Sequence, residues 1–174
     1  MPSPTLSSFG FGFEQRVVVG IAEMAVSNNP AAVLTTYSLG SCLGLALYDP
    51  TLRVGGLLHV MLPESSIARE KANAQPCMFV DTGLPALLQQ VQNLRADLRR
   101  LRVYVVGGAQ IMDDNGFFNI GRRNYAATIA ILDQWRLRIT AEQVGGLVNR
   151  TVHLKLATGE MRLKVSGQSM ETTL

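Results

Sequence analysis

The run CLGLALYD, residues 42–49, ends at Asp49-Pro50, and RVGGLLHVML, residues 53–62, follows almost at once. So short a connection between Leu47 and Val54 suits an antiparallel hairpin, and this constrains the chain more than any other feature. AAVLTTYSL precedes the pair, so residues 32–62 are expected to form three adjacent strands. An earlier β-rich run, QRVVVGIAEMAV, is set off from them by the turn cluster Asn28-Asn29-Pro30.

From Pro63 the pattern fails. PESSIAREKANAQPCM, residues 63–78, reads as a loop carrying at most one short helix, a length often found at site lids and partner contacts. A helix is expected over 81–101, with Asp81 or Thr82 as its cap and Pro85 in its first turn. Its apolar stripe runs through Leu84, Leu87, Leu88 and Val91 to Leu101. RVYVVGGAQIM reads as a buried strand ending at Gly107-Gly108. A second helix over about 121–135 would pack through Ala126, Ala127, Ile129, Ala130 and Leu132. Strands LRITAEQV, RTVHLKLAT and EMRLKVS close the chain, the last two joined by a tight turn at Thr158-Gly159. Strands, helix, strand, helix, strands is a mixed α+β order, unlike the regular alternation of a doubly wound parallel sheet.

The 174 residues suit one domain, and no apolar run is long enough to span a bilayer. Residues 1–15 lack a basic start followed by an apolar stretch, so no secretory signal is expected there. They read as a flexible tail, with the folded unit over 16–167, a C-terminal tail over 168–174, and a cytoplasmic location. Net charge is only +3, and the densest basic patch, Arg95, Arg99, Arg100 and Arg102, is interrupted by Asp97. It reads as a solvated helix face, and no nucleic-acid partner is expected. Two cysteines, Cys42 and Cys77, and two histidines, His59 and His153, suit neither a disulfide in a reducing compartment nor a zinc cage. No metal or cofactor is expected.

Thr36, Cys42 and His59 stand out as polar groups among apolar strands. Pairing across the 49–53 turn puts residue 42 near residue 60, and so brings His59 within a side chain's reach of Cys42. A thiol and an imidazole at that distance make a nucleophile–base pair. A strand follows Cys42, so no helix N-terminus is there to activate the thiol, and His59 has to do it. Gly40 permits a close backbone approach, and the N–H groups of Ser41 and Cys42 suit a developing oxyanion. Thr36 offers a hydroxyl to orient the ring. The same residues also read as a small buried cysteine at a strand start and a satisfied core histidine, and pairing logic leaves both accounts open. Cys77 reads as packing and His153 as half-exposed structure. Gly55-Gly56, Gly107-Gly108 and Gly145-Gly146 match no phosphate-binding pattern and read as bulges or close packing. Anion binding by Arg122 and Arg123 in NIGRRN is the weaker reading of that segment.

The stretches LGSC (39–42), GGLLHVMLP (55–63), FVDTGLPALL (79–88), GGAQIM (107–112), IGRRN (120–124) and TGEM (158–161) together resemble the CheD family of chemoreceptor glutamine deamidases. The resemblance runs from about Val17 to Val165 and includes Gly145-Gly146 with Arg150. Its most specific part is LGSC with His59 in GGLLHVMLP. It implies a layered α/β/β/α sandwich of mixed sheets in a single domain. It also implies a Cys–His–Thr triad, with Cys42 as nucleophile, His59 as general base and acid, and Thr36 as the orienting hydroxyl. The implied reaction is hydrolysis of glutamine side chains on chemoreceptor cytoplasmic helices to glutamate, through a thioester and with release of ammonia. Family members also act on receptor methyl esters, and many bind the phosphatase CheC, which makes a CheC-type phosphatase the implied partner. The sequence departs from the family pattern at Tyr104, where Lys is usual, and at Val106, Arg122, Gln143 and Asn149. None touches the triad, and all are expected to bear on surface contacts. The alternative is a non-catalytic module of the same scaffold that regulates a phosphatase or receptor.

Overall fold

The computed structural model describes residues 13–110 and 119–174. The expected hairpin is formed by β4, Leu43–Asp49, and β5, Val54–Val60, paired antiparallel from Leu43↔Val60 to Asp49↔Val54. It forms the middle of a five-stranded mixed sheet with β2, Met24–Ser27, β6, Arg102–Gly107, and β7, Ala141–Val144, in the order β2-β5-β4-β6-β7. Every residue of β4 and β5 is buried, because this sheet is covered on both faces. Leu43, Leu45, Leu47, Leu58 and Val60 face a helical layer, whereas Ala46, Tyr48 and Leu57 face a second sheet.

That second sheet holds β3, Ala32–Leu39, which corrects the expectation of three adjacent strands. β3 pairs in parallel with β1, Gln15–Val18, and antiparallel with β8, Arg150–Lys155. The register slips between Thr36 and Leu39, where Ser38 takes a φ of 57°. The chain then crosses to the other sheet through Gly40-Ser41-Cys42. β9, Glu160–Val165, and β10, Thr172–Thr173, complete the order β1-β3-β8-β9-β10. The C-terminal residues, expected as a tail, thus return to the sheet, and the Leu174 N–H donates to the Met161 carbonyl at 2.9 Å. The inward side chains of both sheets, among them Leu34, Tyr104, Val152 and Leu163, form one core.

Helices α2, Val80–Asn93, and α3, Ile120–Gln134, pack on the outer face of the first-described sheet through Leu84, Leu87, Leu88, Ile131 and Leu132. The short helix α1, Arg69–Ala74, lies in the loop that leads to α2. The outward side chains of the second sheet include Thr35, His153 and Arg162, and no described helix joins them in a core. The α+β class and the two mixed sheets are as expected, and among the described residues the layers run helix, sheet, sheet.

Helix α2 is shorter than its leucine periodicity predicts. Arg95 adopts a φ of 67°, and the Ala96 N–H closes back on the Val91 carbonyl at 3.1 Å, which ends the helix. Leu98 and Leu101 still pack on the same core, so the periodicity outlasts the helix. Neither expected cap is used: Asp81 instead accepts from the Ser65 N–H and hydroxyl, and the Thr82 hydroxyl donates to the Pro76 carbonyl.

The basic patch lies past the end of α2, with Arg99 and Arg100 on a single 3-10 turn, Leu98–Arg100. Arg100 forks onto the fully buried carboxylate of Asp49 at 2.7 Å, and Arg99 pairs with Asp97. Burial alone would raise the Asp49 pKa, but Arg100 and the N–H groups of Asp97, Thr51 and Leu52 hold it below its ordinary value. This carboxylate ties the β4–β5 turn to the α2–β6 connection. Asp49→Ala strands three N–H groups and the guanidinium, so it is expected to cost on the order of 2–3 kcal/mol in urea unfolding. Arg100→Met leaves the backbone donors in place and is expected to cost clearly less.

Candidate active site

Inward side chains alternate along both strands, which places Thr36 of β3 and His59 of β5 face to face between the sheets. His59 Nδ1 and Thr36 Oγ1 are 2.7 Å apart, and Thr36 Oγ1 lies 2.8 Å from the Val19 carbonyl. A carbonyl can only accept, so the hydroxyl proton goes to Val19 and the ring donates from Nδ1. That assignment leaves Nε2 as the unprotonated nitrogen. Nε2 is buried and has no partner among the described residues. The backbone of His59 is fixed as well, since its N–H donates to the Glu23 carbonyl and its carbonyl accepts from Ala22, each at 3.0 Å.

Cys42 lies one residue before β4, on the same face as Gly44, which pairs with His59. The ladder ends at Leu43↔Val60, so Cys42 lies just past its end, with His59 in the next pair inwards, opposite Gly44. Gly44 puts no side chain between them. Cys42 is half-buried, whereas His59 is only 1% exposed. Burial pushes the Cys42 thiol above its usual pKa, with its own N–H offsetting part of the effect. Burial also pulls the His59 imidazole down to about 4. No hydrogen bond joins the thiol to Nε2, so the resting pair is a neutral thiol beside a neutral imidazole rather than an ion pair.

The Gly40–Cys42 link is held by its carbonyls. Ala109 N–H donates to Gly40 and Gly108 N–H to Cys42, both at 2.8 Å, and the Asn124 side-chain amide donates to Ser41 at 3.0 Å. No other described residue accepts the N–H of Ser41 or Cys42, which leaves both able to serve an anionic oxygen. Two glycines make this packing possible. Gly107 has a φ of 117°, and a Cβ there would collide with the Cys42 carbonyl oxygen. A Cβ on Gly121 would collide with the Gly108 carbonyl, so the start of α3 sits directly on the Gly108-Ala109 backbone.

Of the residues singled out in the sequence, Thr36 and His59 are joined by a hydrogen bond, and Gly40, Ser41 and Cys42 form the link that leads into β4 beside them. Cys77 packs on the helical side of the sheet, and His153 lies on the outward face with Nδ1 2.9 Å from the Thr35 hydroxyl. Sequence reasoning missed Asn124, although a buried amide in the inward stripe Gly121, Asn124, Thr128, Ile131 is a readable signal. Of the apolar face expected for α3, Leu132 is buried and Ala127 packs on the core, whereas Ala126 and Ala130 are exposed.

A family model described as CheD chemotactic sensory transduction matches residues 61–165. A protein of Solibacter usitatus named probable chemoreceptor glutamine deamidase CheD is 43% identical over 157 residues, covering 90% of this chain and 93% of its own. The chain belongs to the CheD family. A Syntrophus aciditrophicus relative named probable chemoreceptor glutamine deamidase CheD 1 is 44% identical, covering 87% of this chain and 94% of its own length. A Pyrococcus abyssi relative named probable chemoreceptor glutamine deamidase CheD is 39% identical, with coverage of 90% and 97%. The CheD family match begins two residues after His59, but a 157-residue span of this chain necessarily includes Thr36, Cys42, His59 and Asn124. Among the departures from the CheD pattern, Tyr104 and Val106 are buried between the sheets, which corrects their assignment to the surface. Arg122, Gln143 and Asn149 are exposed. No described helix is long and apolar enough to cross a membrane.

Two outcomes follow from this packing. Gly107→Ala is expected to leave a folded chain, by near-UV circular dichroism, with Cys42 alkylated by iodoacetamide at a rate at least about tenfold altered, because the Cys42 carbonyl must move. The His59 imidazole stays neutral in the fold down to about 4 but takes a proton near 6.5 when unfolded. The unfolded chain therefore binds more protons between those values, and stability falls as pH drops from 6.5 towards 4, by up to on the order of 3 kcal/mol. Urea unfolding across that window should show a shallower pH dependence in His59→Gln.

Proposed function

We propose that this chain is a protein-glutamine deamidase that converts glutamine side chains of chemoreceptors to glutamate, with Cys42 as nucleophile. The observation that carries this is the buried Thr36–His59 hydrogen bond, which leaves Nε2 free on the face that holds Cys42. Relatives about 40% identical over most of the chain are named for this activity, which supplies the substrate class.

His59 Nε2 takes the Cys42 thiol proton as sulfur attacks the carboxamide carbon, and the carbonyl π electrons pass to oxygen. The Ser41 and Cys42 N–H groups receive that oxyanion. His59 returns the proton to the departing nitrogen, the C–N bond breaks, and ammonia leaves behind a thioester. Water then adds to the thioester carbon with His59 taking its proton. Collapse breaks the C–S bond, restores the Cys42 thiol and frees glutamate. Thr36, anchored to Val19, keeps the Nδ1 proton in place and stabilises the imidazolium formed in each step. Because burial disfavours both charged forms at rest, proton transfer accompanies attack instead of preceding it.

Incubation with the cytoplasmic fragment of a chemoreceptor from the same organism should yield peptides heavier by the amide-to-acid change, read by mass spectrometry. Cys42→Ala is expected to abolish the change while the protein stays folded, and Thr36→Val to slow it by about 10²-fold. Receptor glutamines left intact by the unaltered protein would refute the reading. A non-catalytic module would require Cys42→Ala to keep its effect on receptor signalling.

A further inference from the structure

Beyond residue 43 the β4–β5 ladder stops. Leu43↔Val60 is its last pair, Cys42 turns towards the other sheet, and the Met61 N–H donates to the Met78 carbonyl instead. At this open end one side chain spans the gap. Asn124 of α3 donates from Nδ2 to the Ser41 carbonyl at 3.0 Å and to the Met61 carbonyl at 2.9 Å. Both acceptors are carbonyls, so only the NH₂ end of the amide can face them, and its orientation is settled. Ser41 precedes Cys42 by one residue and Met61 follows His59 by two.

We propose that Asn124 is a positioning residue that sets the separation of Cys42 from His59 by bridging the two segments that carry them. The inference rests on reading that pair as nucleophile and base. Core packing alone does not call for an amide here. Asn124 is fully buried, it disfavours a helix interior, and its Oδ1 is buried without a partner among the described residues. A leucine of similar size would spare the cost of the buried Oδ1 but would strand the Ser41 and Met61 carbonyls, so what the amide specifically provides is the tie between those two segments. The helix is held in place for this contact. Gly121 rests on Gly108, which lowers α3 onto the loop, and the Thr128 hydroxyl donates to the Asn124 carbonyl at 2.9 Å. Of the three buried polar side-chain atoms without a partner among the described residues, two, His59 Nε2 and Asn124 Oδ1, belong to this corner of the molecule.

The test is the alkylation rate of Cys42 by iodoacetamide at neutral pH in a Cys77→Ser background. In the chain with Asn124, His59→Gln should slow alkylation by about tenfold or more, since the base is removed. In Asn124→Leu the same His59→Gln change should alter the rate by less than about twofold, because the base no longer reaches the thiol. With receptor fragment as substrate, Asn124→Leu should lower kcat by about 10²-fold and move KM by less than about threefold. A folded Asn124→Leu protein in which His59 still accelerates Cys42 as in the unaltered chain overturns the proposal. If His59→Gln has no effect even with Asn124 present, the nucleophile–base reading itself has failed, which is a separate result. Should Asn124→Leu not fold, Asn124→Asp is read in the same way; if neither folds, Asn124 serves the fold alone and the proposal is overturned.

Discussion

The hydrogen bond from His59 to Thr36 joins the two sheets at 2.7 Å in a place no water reaches. It can exist only because the chain leaves one sheet at Leu39 and enters the other at Leu43, so that β3 and β5 face each other rather than lie side by side. The three-residue crossing that achieves this carries Cys42, the proposed nucleophile. The same short link therefore builds the sandwich and sets Cys42 at its rim, and each carbonyl in it is claimed by a donor from the Gly108-Ala109 backbone or from α3. Disturbing the crossing would disturb both the fold and the chemistry.

The electrostatics of the corner are those of neutral groups kept ready. A preformed thiolate–imidazolium pair would need charged or polar partners to offset desolvation of the charges, and among the described residues no charged side chain shifts Cys42 or His59. What the site offers is a fixed tautomer, a buried lone pair on Nε2 and two backbone donors beside the thiol. In the proposed reaction, Cys42 would ionise only when a carbonyl is there to receive the attack. Asp49 shows the contrary solution in the same protein: its buried charge is retained because Arg100 and three N–H groups surround it.

Much of this was legible from the residues. The β4–β5 pairing, the turn at Thr158-Gly159, the position of α3 and the proximity of Cys42 to His59 all follow from spacing. The errors have local causes. β3 looked adjacent to β4 because strands close in sequence usually pair, and nothing in LGSC announces a change of sheet. The leucine stripe of α2 continued past its end because Leu98 and Leu101 enter the same core from a different backbone. The phase of α3 was hidden because its inward face is glycine, asparagine and threonine before it becomes apolar, while small alanines sit outside at little cost. Asn124 was quoted within IGRRN and given no role for the same reason.

By itself the sequence determined the hairpin, the α+β order and the candidate nucleophile and base, since each depends on residue types a few positions apart. It also carried the CheD likeness. Only the tertiary structure decided that Thr36 meets His59, which nitrogen of the ring is free, and that Asn124 ties the two segments together. Those contacts join residues 17 to 83 positions apart through the sheet crossing and the seating of α3 on a glycine backbone. Their energies depend on burial, which no local pattern encodes.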